Sequence, residues 1–170
     1  SAHAASTRLE QPRRQFPAAY AAAKSGPAEH WRAPASGLED YPLYPYLEAA
    51  VLERELPRAD ARKVAQFLTR HAGVPTTEAL RRRWLAQLAA RKHWPAFLAA
   101  WHEQDGLALR CAHVQARIAS GATAGLAPEA LALWLNPASL PRECDAAIAW
   151  LRTQGLLTDE RVWERIELAA

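Results

Sequence analysis

The sequence predicts an all-α protein, and three observations carry that prediction. No segment sustains the apolar–polar alternation of a half-buried strand, and β-branched residues are sparse. Apolar residues recur instead at i, i+3 and i+4 in short runs, each closed by proline or glycine. The second half also repeats itself. At a shift of 33 positions Leu98 falls on Leu131, Trp101 on Trp134, Cys111 on Cys144 and Pro95 on Pro128. That period is close to the tetratricopeptide repeat, although the small and aromatic signature is incomplete. Each such helix pair must bury its apolar face on a neighbour. The expected architecture is a curved superhelix of stacked short helical hairpins.

Taken in order, residues 1–10 show no pattern and read as a loose arm. Residues 16–24 are Ala-rich and helical, stopped by Ser25-Gly26-Pro27. Residues 29–40 contain Trp31, Pro34 and Gly37 and give no periodic run. Then comes Tyr41-Pro42-Leu43-Tyr44-Pro45-Tyr46-Leu47-Glu48. Each proline pushes the tyrosine before it out of the α region, so no helix runs smoothly across residues 41–44. Pro45 suits a helix first turn, and a helix follows over residues 46–56, ended by Pro57.

Asp60 can cap the next helix, residues 61–71, with Val64, Phe67 and Leu68 inward and Gly73 as its stop. Thr76 or Thr77 can cap residues 78–91, whose stripe is Leu80, Trp84, Leu85 and Leu88, with Arg81, Arg82 and Arg83 off it. Trp94-Pro95 opens a short helix with Phe97, Leu98 and Trp101 inward. Residues 107–120 carry Leu107, Cys111, Val114 and Ile118, ended by Gly121. Pro128 lies in the first turn of a helix with Leu131, Trp134 and Leu135 inward. Pro141 does the same for Cys144, Ala147, Ile148 and Leu151, up to Gly155. Thr158 can cap a last helix carrying Val162, Trp163 and Ile166. The expected organisation is an arm and first helix over residues 1–28, then one superhelical module over residues 29–170.

Composition narrows the function. With 50% apolar residues the chain can build a core, and its net charge of +3 is too slight and scattered for a nucleic-acid stripe. No apolar run approaches the roughly 20 residues of a membrane span. Methionine is absent, so Ser1 is not a translation start, and the chain is expected to be processed, trimmed or part of something longer. Cys111 and Cys144 are the two cysteines. They suit two buried thiols in a reducing compartment or a disulfide in an oxidising one, if the two helices approach closely.

Three constellations are candidates for chemistry. Of seven tryptophans, Trp84, Trp101, Trp134 and Trp163 lie on apolar stripes and read as core, while Trp31 and Trp94 sit near helix breakers and could stack on sugar rings. His102-Glu103-Gln104-Asp105-Gly106 could hold an acid–base pair, but reads first as a solvated turn between helices. Arg81, Arg82 and Arg83, with Arg91, could meet phosphate or an acidic glycan, but read first as a solvated helix face. The six histidines make no metal pattern, and no phosphate loop or nucleophile elbow is present, so neither metal nor cofactor is expected.

The octapeptide at residues 41–48 resembles a signature of the N-terminal superhelical U-domain of soluble lytic murein transglycosylases. The likeness continues through Val64 and Phe67-Leu68, Leu80-Arg81, Trp84-Leu85 and Leu88-Ala89, and Trp94. It resumes at Leu133-Trp134-Leu135, Pro141 and Cys144-Asp145, and ends at Trp163-Glu164-Arg165-Ile166 with Leu168-Ala169. It covers about residues 29–169.

The resemblance implies a periplasmic protein whose signal peptide is removed, and a Cys111–Cys144 disulfide like the family's paired cysteines. It implies a parent enzyme that cleaves peptidoglycan glycan strands without water, leaving 1,6-anhydromuramoyl ends. The family's catalytic glutamate lies in a lysozyme-like C-terminal domain, and its Glu-Ser and Gly-Leu-Met-Gln motifs are absent here. No catalytic residue is therefore carried over. The implied role is a scaffold, inactive alone, whose partners are the missing catalytic domain and, through the parent enzyme, peptidoglycan. Neither nucleic acid nor a membrane span is expected. A competing expectation is a stand-alone interaction module that binds a periplasmic protein in its groove. A further one is direct glycan contact through Trp31, Trp94, Arg81, Arg82 and Arg83.

Overall fold

Helices without strands make up the regular structure of residues 2–104 and 106–169, which the computed structural model describes. Asp105, from the candidate turn, lies outside them, as do Ser1 and Ala170. The chain divides into two compact units, Ser1–Arg83 and Trp84–Ala170.

In the first unit, α1 spans Ala2–Ser25, so the expected loose arm is helical instead. Pro12 and Pro17 lie inside it. A proline there removes one helical hydrogen bond and crowds the preceding turn. Docking offsets this: Ala19 and Ala23 are fully buried, and the Gln15 side-chain amide donates to the Pro34 and Ser36 carbonyls at 2.7 and 2.8 Å. At the far end Arg54 donates to the Ala23 carbonyl at 2.9 Å, satisfying a helix terminus that has no internal partner.

Helix α2 (Arg32–Ala35) and α3 (Tyr44–Glu55) pack on α1. Helix α3 begins at Tyr44, with Pro45 in its first turn as expected, and runs into a 3-10 turn, Leu56–Arg58. The core here is Ala19, Ala23, Ala35, Leu38, Leu47 and Ala50, ringed by Phe16, Tyr20, Trp31, Tyr41, Tyr44 and Val51. The Tyr-Pro pairs thus place Tyr41 and Tyr44 against the core edge. Burial pushes the Tyr44 phenol up, and the Glu48 and Glu39 carboxylates add to that.

The Asp60 carboxylate caps α4 (Ala61–Arg70) by accepting from the Arg62 N–H at 2.8 Å. Helix α5 (Pro75–Ala90) starts earlier than expected, because Pro75 occupies its first turn. Thr77 is therefore no cap; it is fully buried, and its hydroxyl has no hydrogen-bond partner among the described residues.

The second unit holds α6 (Trp94–Ala100), α7 (Leu107–Ala119), α8 (Leu126–Trp134), α9 (Asp145–Thr153) and α10 (Asp159–Ala169). Helices α6 and α7 pack as one hairpin, α8 and α9 as the next, and α7 also packs on α8 and α9. Cys111, Val114, Leu126, Ala130, Leu133, Cys144, Ala147 and Leu151 form the core. On α8 the buried residues are Leu126, Ala130 and Leu133, while the expected Leu131, Trp134 and Leu135 are half-buried. That helix is apolar nearly all round, so spacing alone does not select a face.

Cys111 and Cys144 are fully buried, with Sγ atoms at the bonding distance of 2.06 Å and Cα atoms 4.8 Å apart. Cys144 ends a 3-10 turn, Arg142–Cys144, that packs on α7 and so faces Cys111.

Candidate interaction surface

The tryptophans separate by unit and by partner. Trp84 is buried, as expected. Trp101 is half-buried and stacks on Phe97 at 5.6 Å and flat on the His113 ring at 4.3 Å. Trp94 is half-buried, edge-on to Phe97 at 6.0 Å. In the first unit Trp31 is half-buried on the core, with the Arg32 guanidinium 5.7 Å from its ring. Trp163 reverses the expectation: it is 64% exposed.

The arginine group does not form one solvated face. Arg81 is only 4% exposed and pairs with Glu78 at 3.3 Å. It shares a stripe with Thr77, Trp84 and Leu88 at i, i+4, i+7 and i+11, so its register sends it inward whatever its charge. Arg82 is exposed, and Arg83 pairs with Glu53. In the candidate turn His102 and Glu103 are exposed, while Gln104 is buried and donates to the His102 carbonyl at 3.0 Å. The described residues of that turn thus supply no carboxylate pair.

One polar cluster escaped sequence reasoning. His113 Nδ1 lies 2.6 Å from Glu129 Oε1, and Arg117 donates to the other carboxylate oxygen at 3.3 Å. Arg117 also donates to the Ala122 and Ala124 carbonyls at 3.0 and 2.6 Å. Its groups are spent on one another and on the backbone between α7 and α8, which makes it a structural latch. Among the described residues no three His, Cys, Asp or Glu side chains converge as a metal would require.

Helix α10 presents the largest departure from a finished surface. Its inner face is polar: Arg161 donates to the Leu156 carbonyl at 2.6 Å, and Arg165 donates to the Trp134, Asn136 and Ala138 carbonyls. The Trp134 indole N–H answers by donating to the Arg161 carbonyl at 3.3 Å, and the Arg165 guanidinium lies 5.0 Å over the Trp134 ring. With both arginines turned inward, Val162, Trp163 and Ile166 form a contiguous outward ridge, 38%, 64% and 50% exposed. Asp159, Glu160, Glu164 and Glu167 are exposed around it. The sequence expectation had the ridge inward. The missed signal is the pair of arginines four residues apart, beside the apolar stripe, each with five donors for carbonyls at a helix end. Val162, Trp163 and Ile166 thus leave an uncovered apolar patch on this helix.

No family model matches the chain. It is 34% identical over 134 residues to the soluble lytic murein transglycosylase of Salmonella typhimurium, and 33% identical over the same length to that of Escherichia coli K12. The chain is homologous to soluble lytic murein transglycosylases. The match takes in 78% of this chain but spans about a fifth of those relatives, 21% of their length. Among solved structures, an inactive mutant of the Pseudomonas aeruginosa lytic transglycosylase superposes with a TM-score of 0.80 at 34% identity, over 92% of this chain and 26% of that one. The 70 kDa soluble lytic transglycosylase of Escherichia coli gives 0.81 at 29% identity, over 95% and 26%. The all-helical architecture is thus that of a portion of these transglycosylases.

Proposed function

We propose that this chain is the non-catalytic scaffold portion of a periplasmic soluble lytic transglycosylase. Its parent enzyme cleaves peptidoglycan glycan strands without water and leaves 1,6-anhydromuramoyl ends. The observation that carries the reading is the paired coverage: likeness over more than nine-tenths of this chain, against about a quarter of each solved transglycosylase. The uncovered ridge on α10 supports it. In this reading Val162, Trp163 and Ile166 are where a further part of the enzyme docks, and the chain meets peptidoglycan through that enzyme. The Cys111–Cys144 pair is oxidised, in keeping with a secreted protein whose leader is removed. No described helix is long and apolar enough to cross a membrane.

The test is direct. The 170-residue chain is incubated with purified murein sacculi, and the soluble products are separated and weighed by mass spectrometry. The proposal expects no anhydromuropeptides above the buffer control. Their release by the chain alone would refute a non-catalytic role.

A further inference from the structure

The first unit contains a cleft that its packing does not explain. Two adjoining cavities of about 450 and 290 Å³ share Glu29, Trp31, Val51 and Glu55 in their walls, so they form one continuous depression between residues 28–32, α3 and α4. Together they reach the size range of ligand sites, about 300–1,000 Å³. Trp31, Val51, Leu52 and Phe67 give it apolar walls.

Its charges are of two kinds. Glu48 is occupied by His71 at 3.1 Å and Arg70 at 3.6 Å, and Glu29 by Arg32. Glu55 and Lys63, on opposite sides of the sequence turn between α3 and α4, make no ion pair among the described residues. Arg58, also in the wall, makes no ion pair among the described residues either, so the cleft offers one unspent carboxylate and two unspent cations beside an indole.

The walls are also held in place. Arg54 is fastened to the carbonyl end of α1. Glu29, directly before His30 and Trp31, has φ of 71°, a left-handed conformation rare for a residue with a side chain. Such conformations cost on the order of 1–3 kcal/mol and cluster at ligand clamps. Here the constrained residue sets the position of the tryptophan that lines both cavities.

The half-exposed indole, packed on the core and with the Arg32 guanidinium 5.7 Å from its ring, supplies apolar area for the C–H face of a hexose. A free carboxylate and a free ammonium together suit a ligand that carries both signs, as a peptide with free amine and carboxylate does. We propose that this cleft binds a glycopeptide, with a sugar ring on Trp31 and the attached peptide between Glu55 and Lys63. The assignment of that glycopeptide to murein rests on the reading of the parent as a murein enzyme.

The 170-residue chain is titrated calorimetrically with three probes: a disaccharide-tetrapeptide released from murein by a muramidase, chitotetraose, and the free tetrapeptide. The disaccharide-tetrapeptide is expected to bind saturably and at least tenfold more tightly than either half. Trp31→Ala should weaken it tenfold or more. Because Trp31 also touches the core, Lys63→Glu serves as a second variant on an exposed position and should weaken the disaccharide-tetrapeptide several-fold while leaving chitotetraose unchanged. Absence of saturable binding, or affinities unmoved in Lys63→Glu, would overturn the cleft. Those outcomes leave the sacculus assay above untouched, so failure of the cleft is separable from failure of the scaffold reading.

Discussion

Arg165 fastens α10 to the end of α8. One guanidinium serves the Trp134, Asn136 and Ala138 carbonyls and covers the Trp134 ring. Hydrogen bonds from a charged donor contribute about 1.5–3 kcal/mol, and the carbonyls left behind would be short of partners. Arg165→Ala should therefore destabilise the second unit by about 2 kcal/mol, read as a lower urea midpoint, with faster amide exchange along α10. Arg165→Lys should recover less than half of the loss, since a point charge cannot span three carbonyls as a planar fork does. A midpoint unchanged in the alanine variant would contradict this account of the inner face. The same scale explains the two residues that sequence misjudged. Spacing puts Arg81 off the apolar stripe of its helix and Trp163 on one, yet Arg81 is buried and Trp163 exposed. In both cases register on the helix and the neighbouring donors decide, and neither is visible in residue type alone.

Among the elements, the 3-10 turn at Cys144 and the outer face of α10 carry the clearest consequences. A Cα separation of 4.8 Å falls within the range that a disulfide spans without moving the backbone. Closing a loop with a sequence separation of 33 should stabilise the oxidised chain by roughly 3–4 kcal/mol. Replacing both cysteines with serine should lower the unfolding free energy from urea titration by about that amount, and wild-type protein should have an intact mass two hydrogens below its reduced form. Equal stability of the two proteins would count against the bond. For α10, Trp163→Ser combined with Ile166→Ser removes exposed apolar area without touching the core. Stability should change by less than about 0.5 kcal/mol, read as an unchanged urea midpoint. A large loss of stability would mean that the ridge is packed and not free.

Element prediction succeeded where local chemistry is strong. Pro45, Asp60 and Gly73 each mark a helix boundary through φ or a capping bond, and the structure places those boundaries close to expectation. On α1 residues 16–24 are helical as expected, but residues 1–10 show no sequence pattern and the helix nonetheless begins at Ala2. Docking of Ala19, Ala23 and Gln15, with Arg54 on the Ala23 carbonyl, holds that helix against residues distant in sequence.

At the scale of the molecule, each unit has its own apolar core, and the helical class follows directly from the sequence pattern. The family likeness was legible too, through the octapeptide at residues 41–48 and the Cys144-Asp145 pair. Of the candidate surfaces, Trp31 was legible as a tryptophan beside helix breakers, while the rest of its cleft and the outward turn of α10 were not. The α10 ridge and the Trp31 cleft depend on which side of a helix finds a partner, a property of tertiary packing that one sequence does not encode locally.

The central claim is that this chain does the structural work of the homologous segment in a lytic transglycosylase. Replacing the matched segment of the Escherichia coli K12 enzyme with this chain tests it most directly, with release of 1,6-anhydromuropeptides from sacculi as the measurement. The account predicts a soluble chimera that releases them, and markedly less release when Trp163 and Ile166 in the inserted chain are both serine. A soluble, folded chimera that releases none would contradict it.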